Sequence, residues 1–181
     1  MELFDLYDSD RKTAGKTLER GLPVPKGLYR MVVHMCIFNS EGKMLIQQRQ
    51  PFKHSWSGMW DLTVGGSSVA GDTSISAVIR ETYEEIGVTL AADEPKRILT
   101  VQTEHIFDDI YTVKKDLDIS ALKLQPEEVA QVKWADMGEI KKMIHDETFI
   151  PYHESLIELL FFMKDQIGDD GTRMARDKTE R

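Results

Sequence analysis

The sequence predicts an α+β domain in which a mixed β-sheet lies between layers of helices. Segments with strand patterns stand both before and after an amphipathic helix in the middle of the chain, and two more helical segments follow the last strand. The 181 residues, 41% hydrophobic and 30% charged, have the composition of a globular protein. A chain of this length buries about two-thirds of its unfolded surface in one core. We therefore expect an α/β/α sandwich.

The strands are predicted where apolar residues alternate with polar ones, or run continuously, between turn residues. The sequence PVPKG is expected to form a loop after the second strand, and NSEG a turn between the third and fourth strands. The predicted strands are residues 2–8, 15–21, 29–39, 43–50, 59–64, 97–102, 110–115 and 128–134. The predicted helices are residues 72–86, 136–145 and about 152–166.

Three parts of the chain are distinguished by their patterns. Residues 1–27 are expected to form an N-terminal β-hairpin arm, and residues 28–167 the main domain. Residues 168–181 follow the last helix and contain almost nothing apolar to bury. We expect them to be a flexible C-terminal tail.

Charge and composition exclude several classes of function. The net charge is −8, from 31 acidic and 23 basic residues, which disfavours broad binding to nucleic acid or an anionic membrane. No apolar run approaches the ~20 residues that span a bilayer, and the acidic N-terminal segment does not resemble a secretory signal. A cytoplasmic location is the resulting expectation. The single cysteine, Cys36, is predicted to be a buried strand thiol.

The most informative segment is residues 65–88, GGSSVAGDTSISAVIRETYEEIGV. At 3.6 residues per turn, Glu81, Glu84 and Glu85 fall within an arc of roughly 100° on the predicted helix. Two such anions about 6 Å apart repel by roughly 3 kcal/mol at an effective dielectric near 20, so a bound divalent cation is expected. Oxygen ligands without a nearby cysteine favour Mg²⁺ or Mn²⁺. A separate arc, predicted to be buried, contains Ile75, Ile79 and Ile86.

This segment resembles the Nudix box, G-x5-E-x7-R-E-U-x-E-E-x-G-U, where U is a bulky apolar residue. Two positions depart from the pattern: Asp72 replaces the first glutamate, and Thr82 stands at the first U. Asp72 is also a candidate cap for the start of the helix. The matching positions are Gly66, Arg80, Glu81, Glu84, Glu85, Gly87 and Val88.

The resemblance covers roughly residues 28–144 and implies the α/β/α sandwich of the Nudix family. It also implies a hydrolase that uses divalent ions to cleave a diphosphate linked to another moiety, X. Glu81 and Glu85 match the closest metal ligands, and Glu84 matches a further ligand or the base that orients water. The carbonyl of Gly65, the residue before the first box glycine, is a further metal ligand by the same resemblance. Arg80 is expected to pair with the box carboxylates rather than to contact substrate.

Family members often recruit one more acid from outside the helix as ligand or base. Glu128 and its neighbour Glu127, just before the last predicted strand, are the leading candidates. Behind them stand Glu104, Asp108 and Asp109.

Basic residues near the front of the sheet are candidates for holding phosphate. They are Arg30, Arg49 and Lys53. Trp56 and Trp60 resemble the WPGxW stretch of one Nudix branch and are expected to pack at the edge of the core. His34 alternates with apolar strand residues and is expected to be an interior histidine with a partner.

Three functions remain open at this point. The resembling branch includes isopentenyl diphosphate isomerase, but Gly65 and Ser67 occupy that enzyme's cysteine and histidine positions, and Arg30 one of its upstream histidine positions. A nucleotide-binding sensor without catalysis is a second alternative, opposed by the full set of box carboxylates. We favour a hydrolase acting on a nucleoside di- or triphosphate or a nucleoside diphosphate derivative. The resemblance also allows a homodimer, which these residues do not decide.

Overall fold

The computed structural model describes residues 2–165, so the predicted tail at 168–181 lies outside the described residues. Nine strands are present: β1 Leu3–Tyr7, β2 Thr13–Glu19, β3 Arg30–Phe38, β4 Met44–Arg49, β5 Trp60–Asp61, β6 Val64–Ser67, β7 Lys96–Gln102, β8 Ile106–Lys114 and β9 Val129–Ala135, counted within these residues. The helices are α1 Ser74–Ile86, α2 Met137–His145 and α3 Glu154–Met163, with a short 3₁₀ helix at Ile119–Ala121. Among residues 2–165, no helix combines the length and the hydropathy needed to cross a lipid bilayer.

The sheet is mixed, and it opens along the line between β3 and β4. β3 runs parallel to β8 along its whole length and antiparallel to β6, while β4 is flanked by β5 and β9. β3 and β4 pair only at Phe38 and Met44, next to the turn that joins them. Beyond that pair the two strands diverge, and the segment of β5 and β6 connects the two halves.

Helices cover both faces of this sheet, which confirms the predicted α/β/α sandwich. Alternate residues of β3 point to opposite faces. One face packs against α1 through a cluster that includes Val33, Met35, Ile37, Ala77, Val78 and Ile86. The other packs against α2 and α3 through a cluster that includes Cys36, Phe38, Ile140, Ile157 and Leu160. Cys36 is fully buried, as expected.

The largest differences between the structure and the sequence prediction are at two strands, and β2 lies two residues earlier than predicted. The predicted strand 59–64 is divided into β5 and β6, because the chain crosses there from β4 to β3. Thr63 marks the crossing: its buried hydroxyl accepts from the Ile37 amide at 2.9 Å and donates to the Leu45 carbonyl. β8 begins at Ile106 rather than at residue 110, because its first residues pair with the start of β3.

Residues of the N-terminal segment form a two-stranded antiparallel sheet that packs on the main sheet. Phe4 and Leu6 of β1 are buried. Tyr7 and Tyr29 exchange two backbone hydrogen bonds, of 2.8 and 2.9 Å, which join β1 to the chain just before β3.

A partly buried ion pair holds the tip of this hairpin. Both terminal nitrogens of Arg11 donate to Asp109 of β8, at 2.8 and 2.6 Å, and the Asp109 side chain is fully buried. Ser74 and Thr100 also donate to it, each at 2.6 Å. Burial alone would raise the pKa of Asp109, but the hydrogen bonds from Arg11, Ser74 and Thr100 outweigh it and lower the pKa to about 2.

Replacing this carboxylate should destabilise the fold. Asp109→Asn leaves Arg11 without its charged partner, and we expect the free energy of unfolding at pH 7 to fall by about 3 kcal/mol. Because the pKa is lowered on folding, this stabilisation is present above the ordinary value of 3.8 and is lost as the pH falls through about 2. Urea unfolding from pH 7 down to pH 2 measures both effects. Asp93→Asn, at an exposed acid, is the control; an equal loss in both variants would contradict the assignment.

Candidate active site

The helix α1 is fixed at both ends by local capping interactions. Thr73 caps its start in a capping box with Ser76, whose backbone amide donates to the Thr73 hydroxyl at 3.2 Å. Gly87 ends the helix in the left-handed conformation, with φ of 73°. The suggestion that Asp72 caps the helix is therefore wrong. Its carboxylate instead accepts from Arg80.

Glu85 lies on the buried face of α1, and its side chain points to the sheet. The residue is 4% exposed, and its Oε2 accepts a 2.9 Å hydrogen bond from Gln47 Nε2 on β4. Burial, together with the negative charges of Glu81, Glu128 and Asp61, raises the pKa of Glu85 to about 8 despite the hydrogen bond from Gln47.

The helix faces therefore differ from those predicted. The expectation that all three glutamates share one acidic arc beside a separate apolar arc is wrong for Glu85, because the amide of Gln47 gives it a polar partner inside the core. Ile75 and Ile79 are only half-buried. The buried residues of α1 are Ala77, Val78, Thr82, Glu85 and Ile86.

Glu81 and His34 cover opposite faces of the two successive glycines at the start of the box. A Cβ on Gly66 would lie 2.1 Å from Cδ of Glu81, and a Cβ on Gly65 would lie 2.7 Å from Cδ2 of His34. Since successive strand residues face opposite sides, the carboxylate and the imidazole enclose the backbone between them. A side chain at Gly66 would therefore displace the Glu81 carboxylate, and one at Gly65 would displace the His34 ring. Burial also raises the pKa of Glu81.

Arg80 organises the remaining box carboxylates, as expected. Its guanidinium donates to Asp72 at 2.9 Å, to Glu81 at 3.0 Å and to Glu84 at 2.9 Å. It also donates to the Ser67 carbonyl at 3.2 Å. Asp72, the shorter residue at the first glutamate position, thus retains an ionic partner within the box.

Of the candidate acids outside the helix, Glu128 is the one whose charge acts on Glu85. It is half-buried and accepts from Lys53 Nζ at 2.6 Å, whereas its neighbour Glu127 is exposed. Asp109 holds the N-terminal hairpin.

The candidate phosphate-binding residues lie at different edges of the site. Arg30 donates to the Ser67 hydroxyl at 2.8 Å, beside the box glycines. Lys53 is paired with Glu128. Arg49 lies 3.8 Å from Asp61. The structure therefore places Arg30 beside Ser67 of β6 and Lys53 beside Glu128.

The two tryptophans of the loop before the box differ in burial. Trp60 is partly buried against the core, as expected. Trp56 is 49% exposed with φ of 52°, so core-edge packing is wrong for this residue.

His34 is the interior histidine that was expected, and it belongs to a polar group that the sequence did not reveal. Its Nδ1 lies 2.8 Å from Asp108, and Tyr152 donates to the buried Asp61 at 2.9 Å. Burial lowers the pKa of His34, but the hydrogen bond to Asp108 and the charges of Asp108, Asp61 and Glu85 outweigh it, so the pKa is raised. The sequence analysis did not identify Gln47, Asp61 and Tyr152 as site residues. Only Gln47 left a signal: it is a polar residue two positions after the buried Leu45, on the same face of β4.

The donor set fits a hard divalent cation. Within residues 2–165, no three Asp, Glu, His or Cys side chains already converge as ligands of a metal ion, because Arg80 and Gln47 hold the box glutamates. Glu81, which is partly buried, and Glu85, which is buried, both have raised pKa values. A cation beside them would stabilise their ionised forms.

Comparison with known proteins gives the family that the box pattern indicates, and the match covers most of the chain. The model of the NUDIX domain family matches residues 28–159. An uncharacterized Nudix hydrolase of Listeria monocytogenes is 38% identical over 152 residues, which cover 84% of this chain and 90% of the relative. An isopentenyl-diphosphate Delta-isomerase of Escherichia coli is 28% identical over 122 residues, covering 65% of this chain and 67% of that enzyme.

Solved structures share the fold. A crystal structure from Deinococcus radiodurans aligns with a TM-score of 0.71 and 23% identity, covering 87% of this chain and 96% of that one. A bifunctional NMN adenylyltransferase/ADP ribose pyrophosphatase from Francisella tularensis, complexed with AMP and a manganese ion, aligns with a TM-score of 0.61 and 18% identity. That alignment covers 80% of this chain and 44% of the Francisella protein.

The raised pKa of Glu85 predicts a pH-dependent effect of its neutralisation. Without metal, the stabilisation linked to the protonated Glu85 is present below 4.5 and is lost as the pH rises through about 8. The advantage of Glu85→Gln over the wild type should therefore grow between pH 5 and pH 9, by on the order of 3 kcal/mol. Urea unfolding in chelator-containing buffer measures it. Glu84→Gln, at a half-exposed position of the same helix, should show a much smaller trend; equal trends would reject the buried assignment.

Proposed function

This chain belongs to the Nudix hydrolase family, and we propose that it hydrolyses the diphosphate linkage of a nucleoside di- or triphosphate, or of a nucleoside diphosphate derivative, with Mg²⁺ or Mn²⁺. The observation that carries the proposal is a pair of interacting carboxylates on α1: Glu81, partly buried against Gly66, and Glu85, buried against Gln47 with a raised pKa. Such a site attracts a cation, and through it the anionic oxygens of a diphosphate.

The box residues have distinct roles in this proposal. Glu81 and Glu85 hold the ion, with Glu84 and the Gly65 carbonyl as further ligands. When bound, the ion neutralises phosphate oxygens and acidifies the attacking water. Arg80 stays paired with Asp72 and keeps the glutamate side chains in place while the charge of the site changes.

Glu128 is the proposed general base. It lies outside the helix, its charge acts on Glu85, and Lys53 holds its carboxylate in one orientation. Glu84 and Glu81 are the other candidates for positioning the water, but Arg80 occupies both of them. Deprotonation of the water by Glu128 would leave a proton on its carboxylate, next to the Lys53 ammonium.

Phosphate oxygens are proposed to be held by Arg30, Arg49 and Lys53. Arg30 has an uncharged partner, the Ser67 hydroxyl, so its positive charge is available to an anion beside the box. Lys53 and Arg49 lie towards Glu128 and Asp61. A nucleotide substrate is supported at the level of the fold by the Francisella protein, whose structure contains AMP and manganese.

The isomerase alternative is disfavoured by the packing at Gly65. The relatives of that class place their acid cysteine at this position, whereas here the His34 ring fills the space of a side chain. A cysteine at Gly65 would require the imidazole to move, and the imidazole is held by Asp108.

A substrate screen tests the function. Nucleoside di- and triphosphates, nucleotide sugars and dinucleotides would be incubated with the purified protein and Mg²⁺ or Mn²⁺, and released phosphate, pyrophosphate and nucleoside monophosphate measured. We expect metal-dependent release that Glu85→Gln lowers by orders of magnitude without loss of fold. Activity only on non-nucleotide diphosphates would reject the nucleotide assignment, and near-wild-type turnover by Glu85→Gln would reject the metal site.

The base is tested by a matched pair of neighbouring residues. Glu128→Gln should lower kcat by about 100-fold or more with little change in KM, because a positioned general base contributes at least this factor. Glu127→Gln, at the exposed neighbour, should retain wild-type kcat. Steady-state kinetics on the best substrate of the screen decides. Equal kcat values for the two variants would remove Glu128 from the mechanism.

A further inference from the structure

The N-terminal hairpin arm contacts the segment that leads into the box helix. This segment, residues 69–72, lies between β6 and α1, and we call it the box turn. The Leu3 carbonyl accepts from the Ala70 amide at 2.7 Å, and the Asp5 carboxylate accepts from the Gly71 amide at 2.8 Å. Two successive amides of the box turn are therefore bound by β1 of the arm.

The box turn is linked in turn to the carboxylates of the box. Asp72 closes the turn: its amide donates to the Val69 carbonyl at 3.0 Å, and its carboxylate accepts from the Val69 amide at 3.2 Å. The same carboxylate oxygen accepts from Arg80 at 2.9 Å, and Arg80 donates to Glu81 and Glu84. A continuous path of polar contacts thus runs from the box turn to two of the proposed metal ligands.

A second attachment holds the start of α1. Ser74 is the first residue of this helix, and its hydroxyl donates to Asp109 at 2.6 Å. Arg11, at the tip of the arm, donates to the same carboxylate through both of its terminal nitrogens. The arm is therefore connected to the box turn directly and to the first turn of α1 through Asp109.

The arm supplies a constraint that the helix does not supply itself. Thr73 and Gly87 already cap the two ends of α1, so the arm is not what sets where the helix begins and ends. The family model that matches this chain begins at residue 28, after the arm. Burial raises the pKa of Glu81, and the negative charge of Glu2, on the arm, adds to this shift. What the arm contributes is the position of the box turn relative to the sheet.

This position matters because the box must hold like charges together. Carboxylates that share one cation repel each other until the cation arrives. A site whose ligands are already oriented by surrounding groups binds an ion more tightly than one that must order them on binding. Release of the box turn would let Asp72 and Arg80 move together, and Glu81 and Glu84 would lose the partner that orients them.

We propose that the N-terminal arm is a positioning element of the metal site. Asp5 is its positioning residue: it fixes the box turn through the Gly71 amide, and the turn fixes the box carboxylates through Asp72 and Arg80. This inference rests on the proposed function, because it takes the box carboxylates as the metal ligands. Asp5 itself contacts neither the metal nor the substrate.

The test measures the dissociation constant for Mn²⁺ in the full chain without substrate, by electron paramagnetic resonance. Asp5→Ala removes the acceptor of the Gly71 amide and should weaken Mn²⁺ binding by about tenfold, the lower end of the loss for groups that orient metal ligands. Asp5→Asn also removes the charge but keeps an oxygen that accepts this hydrogen bond, so its affinity should stay within about twofold of the wild type. Asp10→Ala, at an acid of the same arm whose side chain is 72% exposed, should leave the affinity unchanged.

Two further measurements separate positioning from a general loss of structure. Ser74→Ala removes the bond between α1 and Asp109 and should weaken Mn²⁺ binding in the same direction, through the second attachment. In the wild type, hydrogen exchange at the Gly71 amide should be slow, and Asp5→Ala should accelerate it while exchange in the core strand β3 stays slow. In steady-state kinetics, Asp5→Ala should raise the Mn²⁺ concentration for half-maximal rate, with kcat recovering at saturating Mn²⁺.

The outcomes distinguish this inference from the proposed function. If no diphosphate is hydrolysed but the order of Mn²⁺ affinities holds, the proposed hydrolysis fails and the positioning role stands. Equal affinities in the wild type and Asp5→Ala, equal losses in Asp5→Asn and Asp5→Ala, or an equal loss in Asp10→Ala would overturn the positioning role. Rapid exchange of the Gly71 amide in the wild type, or no binding of Mn²⁺ by the wild type, would overturn it as well.

Discussion

The burial of Glu85 between α1 and the sheet is the constraint on which the rest of the site depends. A carboxylate with almost no access to water and one amide partner is costly to ionise, which is why its pKa is raised to about 8. Within residues 2–165, no cationic side chain is paired with Glu85 to remove this cost. Arg80, which is on the same helix, is directed to Asp72, Glu81 and Glu84 instead. The free-energy cost of ionising Glu85 therefore remains, and a small bound cation would lower it.

Capping residues and glycines determine where the carboxylates of α1 lie relative to the sheet. Thr73 and Gly87 set where α1 begins and ends, and the absence of side chains at Gly65 and Gly66 allows α1 and β3 to place polar groups directly against the backbone. The same two residues separate the Glu81 carboxylate from the His34 ring, which lie on opposite faces of this short strand.

The sequence predicted the fold and the box well, because both leave local signals. Period-two and period-3.6 apolar patterns gave the strands and helices, and the spacing of Arg80, Glu81, Glu84 and Glu85 identified the family. What it could not give was the direction of side chains that depend on distant partners. Glu85 was assigned to an acidic face separate from the buried one, because its partner Gln47 lies 38 positions earlier in the chain and the helix pattern alone does not show that the two side chains meet. The sequence could not show that His34 lies near Asp61, Asp108 and Tyr152. Their proximity depends on the register of the strands and on the packing of the segment before α3.

The bond between Arg11 and Asp109 also has a consequence for the order in which the protein is assembled. The two residues are 98 positions apart, and Asp109 receives Ser74 from the start of α1 as well. During synthesis, the N-terminal hairpin leaves the ribosome long before β8 does. Arg11 therefore has no Asp109 carboxylate to pair with at that stage. The N-terminal hairpin can attach only after more than half of the chain has been synthesised. Its attachment therefore requires that β8 and α1 have already packed together.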